Sequence, residues 1–283
     1  MATTSAARSL ADEVCYQASE LSLPELAARE LAALDDAWKD FWLRPDQLPP
    51  PGAWLFWVLY GGKGSGKTQG ACSWVHERAR AKKEPILLVA GTASDVRSAM
   101  VEGPSGLLKT APRDFVPKWE SSVGDAGLVT WPNGARGLGF ASESPERLRG
   151  KGAQTAWLDD LTNWQDGRGM AAFMQVYRNL REGDGRGVVT FNPAETELIR
   201  WILKVDNPMI VRTHSVSDVN LGSLSLRSLD QWSLIEGTEE ARRDRGGELP
   251  DKSDRSPFHG IDFDKCRVGP VDPAEMLETT IRR

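Results

Sequence analysis

The chain has 283 residues, 40% of them hydrophobic and 27% charged, and a formal net charge of -5. This composition is ordinary for a globular protein with one large core domain. No run of eighteen apolar residues exists, and the first residues lack an apolar stretch of signal-peptide length, so we expect a cytoplasmic protein without a membrane span. The net negative charge argues against a protein that coats nucleic acid with its whole surface, but it permits one that binds DNA through a few basic residues on one face.

Helical periodicity marks the first 43 residues. Apolar residues recur at helical spacing, first at Leu10, Val14 and Ala18 and again, after Pro24, at Leu26, Leu31 and Leu34. The proline-rich residues 44–52 (RPDQLPPPG) then interrupt the pattern. We therefore expect a helical segment at 1–43 and a core domain that begins at residue 44.

Short apolar runs recur through the core domain. They predict buried strands at residues 53–60, 86–90, 155–158, 187–191 and 210–213, with a helix from Lys67 to about Lys83. Residues 128–131 and 137–141 flank the turn signal Pro132-Asn133-Gly134 and predict a hairpin. Together these elements indicate an α/β fold, with a mostly parallel sheet that helices cover on both faces. After Ser215 the periodicity weakens, and the charged residues 240–257 predict a solvated loop or helix end.

The strongest motif is GGKGSGKT at residues 61–68, which satisfies G-x-x-x-x-G-K-[ST] between a predicted strand and a predicted helix. Its glycines let backbone N–H groups converge on phosphate oxygens, and the following helix adds a positive dipole end. In this motif the lysine, Lys67, reaches the β- and γ-phosphates and the Thr68 hydroxyl ligates magnesium. The motif therefore predicts an ATP and Mg²⁺ site at Gly61, Gly62, Lys63, Gly64, Ser65, Gly66, Lys67 and Thr68.

Polar residues end two of the later strands. Asp159 and Asp160 follow the run at 155–158, where the first would hold magnesium and the second would orient the attacking water. Such a pair also ends many ordinary strands, so the upstream phosphate loop is what favours the hydrolytic interpretation. Thr190 and Asn192 end the run at 187–191 and suit contacts to the γ-phosphate or the water, although Asn-Pro is equally a turn signal.

The order of these motifs resembles the ATPase domain of tailed-phage large terminases over residues 45 to 250. The resemblance rests on GGKGSGKT, GTASDVRSAMVEGPSGLL, WPNGARGLGFASESPERLRGKGAQTAWLDDL and VVTFNP, and residues 131–149 discriminate best because generic P-loop proteins lack them. It implies an ASCE-type P-loop NTPase sheet, a small lid subdomain and a motor that pumps double-stranded DNA into a procapsid. The implied partners are the portal protein, the small terminase subunit and further copies of the chain in a ring.

The family pattern also implies roles for individual residues. It places Lys67 and Thr68 on nucleotide and magnesium, Asp159 on magnesium, and Asp160 on the catalytic acid, which is usually Glu in the family. Lys63 falls where many members carry an arginine beside the γ-phosphate, and lysine keeps that charge without the planar fork.

Further positions are assigned in the same way. Gln47 resembles a glutamine that reads adenine, and Thr190 to Asn192 match a motif that couples hydrolysis to movement. Arg149 matches an arginine that acts on a neighbouring subunit's ATP. Arg147 competes for that role, and both arginines also fit a solvated basic loop.

The resemblance suggests boundaries at 1–43, 44–215 for the ATPase core, 216–250 for the lid and 251–283 for a linker. Large terminases usually carry a C-terminal nuclease domain, so we expect either an excised ATPase domain or a nuclease on a separate polypeptide. A P-loop kinase, a nucleotide-gated assembly module without turnover and a helicase are the alternatives. The paired acids and residues 131–149 argue against a kinase, whereas the departures at Lys63 and Asp160 keep the assembly module open.

Overall fold

The structure, a computed structural model, describes residues 43–223 and 236–249, with the side chains of 221–223 left out. Apart from Leu43, the predicted N-terminal helical segment lies outside these residues, as do the predicted linker at 251–283 and part of the predicted lid. Within the described ranges, no helix is long and apolar enough to cross a membrane.

A mixed sheet forms the centre of the described chain. Its strands are β1 (Phe56–Gly61), β2 (Ile86–Ala90), β3 (Lys118–Glu120), β4 (Leu128–Thr130), β5 (Arg136–Ala141), β6 (Thr155–Leu158), β7 (Arg186–Phe191) and β8 (Ile210–Ser215). They are ordered β3-β4-β5-β2-β6-β7-β1-β8. The strands from β5 to β8 in this order are parallel, whereas β3 and β4 extend one edge in antiparallel pairing.

The strand order explains how distant motifs meet. Strand β7 lies between β1 and β6, and Val189 is in register with both Val58 and Leu158. Parallel strands have their carboxyl ends at the same edge, so the loop after β1 and the acids after β6 face one another across the end of β7. This arrangement, with one strand inserted between the P-loop strand and the acidic strand, confirms the predicted ASCE-type α/β fold.

Helices cover both faces of the sheet, as expected. They are α1 (Lys67–Arg80), α2 (Ala93–Asp95, continued by a π-helical turn at Val96–Val101), α3 (Arg168–Asn179), α4 (Glu197–Lys204) and α5 (Glu239–Ala241, continued by a π-helical turn at Arg242–Gly246). Short 3₁₀ turns lie at Pro45–Gln47, Arg113–Phe115, Pro145–Leu148, Leu161–Asn163 and Ser217–Ser223.

The core has two halves, one on each face of the sheet. Along β1, Trp57 and Leu59 pack with α1, whereas Phe56 and Val58 pack with α3 and α4. This division follows from the two-residue alternation of side chains along a strand. Because both faces are covered, the central strands β1, β2 and β6 are almost wholly apolar, which is why continuous apolar runs predicted them.

Three local differences from the sequence prediction have clear causes. Helix α1 ends at Arg80, because Lys82 turns left-handed (φ 56) and the Lys83 N–H donates to Arg78 O at 2.9 Å. Strand β1 begins three residues after position 53, because the N–H groups of Leu55 and Phe56 both donate to one carbonyl, Met209 O. Strand β3 was not predicted, since it has only three residues and two of them are exposed.

Candidate active site

The phosphate loop connects the end of β1 to the start of α1. Gly66, the residue before the helix, has φ 86, a left-handed conformation that glycine adopts without strain. A Cβ at this position would lie 2.4 Å from Gln47 Nε2, so a side chain would displace the Gln47 amide as well as strain the backbone. The loop therefore keeps its backbone open toward the carboxyl edge of the sheet.

Lys67 lies inside this loop. Its Nζ donates to Gly62 O at 2.6 Å and lies 3.3 Å from both Gly61 O and Ser65 Oγ. Burial lowers the pKa of Lys67 to about 8, although the charges of Asp160 and Asp159 act in the opposite direction. The structure thus brings the motif lysine into the electrostatic range of both acids after β6.

Asp159 is a buried carboxylate, 5% exposed. Burial raises its pKa to about 6, the nearby charge of Asp160 adds to that rise, and a hydrogen bond from Thr190 opposes it. Thr190 Oγ1 donates to Asp159 Oδ1 at 2.6 Å. Thr190 therefore fixes the orientation of this carboxylate at the end of the neighbouring strand.

Asp160 has an unusual backbone for a residue other than glycine, with φ 47 and ψ 65. Its N–H donates to Thr190 Oγ1 at 3.2 Å, and its Oδ2 accepts a hydrogen bond from Asn163 Nδ2 at 2.7 Å. Its other oxygen, Oδ1, is buried and has no hydrogen-bond partner among the described residues. Strained backbone conformations of this kind concentrate at functional sites.

Asn192 ends up close to the same edge, one strand away. Its backbone N–H donates to Thr162 Oγ1 at 3.1 Å, and the Thr162 hydroxyl donates to Asn192 O at 2.9 Å. Asn192 Oδ1 is a second buried acceptor without a partner in the described chain. Two such acceptors near the ends of β6 and β7 suit a polar ligand or ordered water.

The remaining predicted residues differ in their surroundings. Lys63 is exposed at the outer side of the loop and Thr68 is half-buried in the first turn of α1. Gln47 is buried and donates from Nε2 to Gly66 O at 2.9 Å, which places it behind the loop. Arg147 pairs with Asp125 at 2.6 Å, whereas Arg149 is exposed and makes no ion pair within the described residues.

A nucleotide-bound magnesium ion fits the groups present. The described residues contain no cluster of three His, Cys, Asp or Glu side chains that would form a cage for a metal. Magnesium instead takes one or two protein oxygens and completes its shell with phosphates and water. Asp159 and Thr68 supply such oxygens at the edge that the phosphate loop faces.

Sequence reasoning missed several residues around the loop. Arg44, Ser217 and Asn220 all donate to carbonyl oxygens of the loop, and Asn163 holds Asp160. Arg44 and Asn163 had a local signal, since each lies three residues from a predicted site residue, Gln47 and Asp160 respectively. Ser217 and Asn220 come from a segment whose approach to the loop depends on the folded chain.

Fold and site together define a P-loop NTPase of the ASCE type. The family model described as "Terminase large subunit, T4likevirus-type, N-terminal" matches residues 58–199, or 142 of the 283 residues. The chain therefore belongs to the terminase large subunit family. No curated protein matches its sequence significantly.

Solved structures support the fold. The large terminase of a thermophilic bacteriophage is similar with a TM-score of 0.55 at 14% identity, covering 77% of this chain and 52% of that one. The same protein in complex with ADP gives 0.55 at 16% identity, with 76% and 51% covered. The large terminase ATPase domain of Thermus phage P74-26 gives 0.52 at 14% identity, with 79% and 98% covered. The chain thus spans about half the length of the first of these proteins and nearly all of the isolated ATPase domain.

Proposed function

We propose that the chain is the ATP-hydrolysing part of a viral DNA-packaging motor, which drives double-stranded DNA into a procapsid. The observation that carries the proposal is the meeting of Lys67, Asp159 and Asp160 at the carboxyl edge of an ASCE-type sheet. The family membership and the ADP complex of a structural relative support ATP as the substrate.

The phosphate loop would hold the nucleotide through backbone N–H groups and the Lys67 ammonium group. Thr68 and Asp159 would ligate Mg²⁺, which when bound neutralises charge on the β- and γ-phosphates. Lys63, on the exposed side of the loop, adds positive charge beside the γ-phosphate. Thr190 keeps Asp159 oriented toward this group through its 2.6 Å hydrogen bond.

Asp160 is proposed to position the attacking water. Asn163 occupies its Oδ2 and Thr190 holds its backbone, so Oδ1 is the oxygen left to accept a proton from water. The carboxylate then polarises that water for in-line attack on the γ-phosphate. Asn192 is proposed to contact the water or the γ-phosphate and to couple hydrolysis to movement, which its Oδ1, unpartnered in the described chain, supports.

Arg149 is proposed to act on the ATP of a neighbouring subunit. The preceding residue, Leu148, accepts a hydrogen bond from Asn179 at the end of α3, on the face of the sheet opposite α1. Asn179 O in turn accepts a hydrogen bond from the Ala153 N–H at 2.9 Å, two residues before β6 begins, so this segment lies toward the amino edge of the sheet. The phosphate loop follows β1 at the carboxyl edge, so Arg149 suits a ring in which it faces the phosphate loop of the next subunit.

The remaining parts of the proposal concern assembly. We propose residues 44–215 as the ATPase core and 216–250 as the lid, with 1–43 and 251–283 as flanking segments. The partners are double-stranded DNA, the portal of the procapsid and the small terminase subunit. Contacts to DNA should be made to phosphates, so that they are independent of sequence and weakened by salt.

Steady-state ATP hydrolysis tests this function, measured with and without linear double-stranded DNA and procapsids. We expect turnover that DNA and procapsids increase and that added salt reduces. ATP binding without turnover under every condition would instead favour a nucleotide-gated assembly module.

A further inference from the structure

Four successive carbonyl oxygens of the phosphate loop each accept a hydrogen bond from a side chain outside the loop. Ser217 Oγ donates to Lys63 O at 2.7 Å, and Asn220 Nδ2 donates to Gly64 O at 2.7 Å. The Arg44 guanidinium group donates to Ser65 O at 2.5 Å, and Gln47 Nε2 donates to Gly66 O at 2.9 Å. We call Arg44, Gln47, Ser217 and Asn220 the carbonyl brace.

The geometry of the peptide bond gives these contacts a consequence. In a planar trans peptide the C=O of one residue and the N–H of the next point in opposite directions. Side chains that hold the carbonyls of residues 63 to 66 therefore make the N–H groups of residues 64 to 67 point away from those side chains. Within the described chain, the N–H groups of Gly64 and Gly66 donate to no acceptor, and that of Ser65 makes only a 3.4 Å contact with Gly62 O.

We propose that the carbonyl brace consists of positioning residues that aim the loop N–H groups at the phosphates before a nucleotide arrives. This inference rests on the proposed function, because it assigns those N–H groups to phosphate binding. A short glycine-rich loop has many accessible backbone conformations, and fixing it in advance reduces the entropy lost on binding.

The brace joins the two ends of the core domain. Arg44 and Gln47 precede β1, whereas Ser217 and Asn220 follow β8. Arg44 connects the members from the two ends. Its Nη1 donates to Asn220 Oδ1 at 3.1 Å, and its backbone N–H donates to Gln47 Oε1 at 3.0 Å. Asp46 completes the link through an ion pair with Arg44 at 3.0 Å and a hydrogen bond from Ser215.

Two loop N–H groups before residue 64 donate to carbonyls outside the loop. The Gly62 N–H donates to Ser215 O at 3.0 Å, and the Lys63 N–H donates to Asp244 O at 2.5 Å, in the turn that follows α5. The brace is therefore assigned only to the four peptide groups between residues 63 and 67, whose carbonyls it holds.

The brace gives Gln47 a role that does not depend on the base. A glutamine that only reads adenine affects the affinity for ATP and leaves the affinity for a base-free polyphosphate unchanged. A glutamine that holds Gly66 O affects both ligands equally. Mg²⁺-tripolyphosphate, which has phosphates and no base, separates the two roles.

The test compares three neutral variants of nearly unchanged size by isothermal titration calorimetry with Mg²⁺-tripolyphosphate and with Mg²⁺-ATP. Gln47→Met and Asn220→Leu each remove one donor of the brace. Asn133→Leu is the matched control, because Asn133 Nδ2 donates to Ala79 O at 2.9 Å at the other end of α1. Thermal unfolding of each variant shows that it is folded before its affinity is measured.

We expect both brace variants to bind each ligand about tenfold more weakly than wild type, since one lost hydrogen bond of ordinary strength has about this effect. The control should bind both ligands as wild type does. Folded brace variants with wild-type affinity for tripolyphosphate would overturn the brace, and a Gln47→Met effect confined to ATP would assign Gln47 to adenine instead. A wild-type chain that binds neither ligand would overturn the nucleotide site itself.

Discussion

At the scale of single residues, Asp159 combines a functional position with an energetic cost. The carboxylate is buried beside another acid, and the hydrogen bond from Thr190, the Trp157 side chain and the charge of Lys67 compensate this burial only in part. A buried charge of this kind lowers stability unless a cation neutralises it. The magnesium role proposed for Asp159 explains why this position has a carboxylate, although an uncharged side chain would make the folded protein more stable.

Asp159→Asn should therefore stabilise the nucleotide-free protein. Because the folded-state pKa is raised to about 6, the folded state holds this proton more tightly than the unfolded state does. The stability penalty grows as the pH rises from about 4 toward 6 and is complete above 6. Urea unfolding at pH 7.5 should show a gain of about 1 to 3 kcal/mol.

The gain in unfolding free energy from Asp159→Asn should largely disappear near pH 4, because the Asp159 carboxyl group of the folded wild-type protein is then protonated and uncharged. Asp206→Asn, at an exposed position, serves as the control and should show no comparable gain. An Asp159→Asn protein that is less stable than wild type at pH 7.5 would contradict the assignment of a buried, unfavourable charge.

At the scale of helices and strands, the sequence predicted most of what is local. Of the five strands predicted from apolar runs, four matched to within a residue or two, because buried parallel strands are continuous apolar runs; the P-loop motif predicted the start of α1. Helix α4 was not predicted, although its sequence has an N-cap residue and helical apolar spacing. Thr196 accepts a hydrogen bond from the Ile199 N–H as the N-cap, and Leu198, Ile199 and Ile202 form the buried face.

What the sequence did not predict depends on contacts between distant segments. The insertion of β7 between β1 and β6 is a property of the folded sheet, as is the approach of Ser217 and Asn220 to a loop more than 150 residues earlier. The site residues predicted from motifs are contiguous in sequence, at 61–68 and at 159–160, whereas Gln47, Thr190, Asn192 and Arg149 were assigned from a strand end or from the family pattern. The other members of the brace, Arg44, Ser217 and Asn220, were missed because they lie on both sides of the core.

The C-terminal end of α1 provides a test of local backbone strain. Lys82 is left-handed at the position after the helix, where Lys82 N–H donates to Ala79 O and Lys83 N–H to Arg78 O. Glycine is preferred there because a Cβ costs energy in this conformation. Lys82→Gly should raise the free energy of unfolding by about 0.5 to 1 kcal/mol.

Lys83→Gly is the matched control for this substitution, since Lys83 is not among the residues with a left-handed backbone. It should give no gain in urea unfolding. Equal effects of the two substitutions would show that the strain assigned to Lys82 is absent.

At the scale of the whole molecule, the proposed trans role of Arg149 predicts complementation between inactive subunits. Lys67→Ala removes the phosphate-binding lysine, and Arg149→Ala removes the arginine supplied to a neighbour, so each variant alone should lose at least about 10³-fold in turnover. Mixed under conditions of assembly, they should regain activity, because an Arg149→Ala site then faces an intact arginine on a Lys67→Ala neighbour.

Arg147→Ala is the control for this mixing experiment, since Arg147 is already paired with Asp125. It should keep most of the wild-type turnover. An Arg149→Ala protein as active as wild type, or a mixture with no recovery, would remove Arg149 from the neighbouring site.

The central claim, that Asp160 positions the attacking water, is tested most directly by ATP hydrolysis in Asp160→Asn, with linear double-stranded DNA and procapsids present. Asparagine tolerates the left-handed backbone found at Asp160, so the variant removes the charge and leaves the fold in place. We predict wild-type ATP affinity within a few-fold and turnover reduced by about 10² or more. Turnover close to that of wild type would contradict the account, because the carboxylate could not then be the group that activates the water.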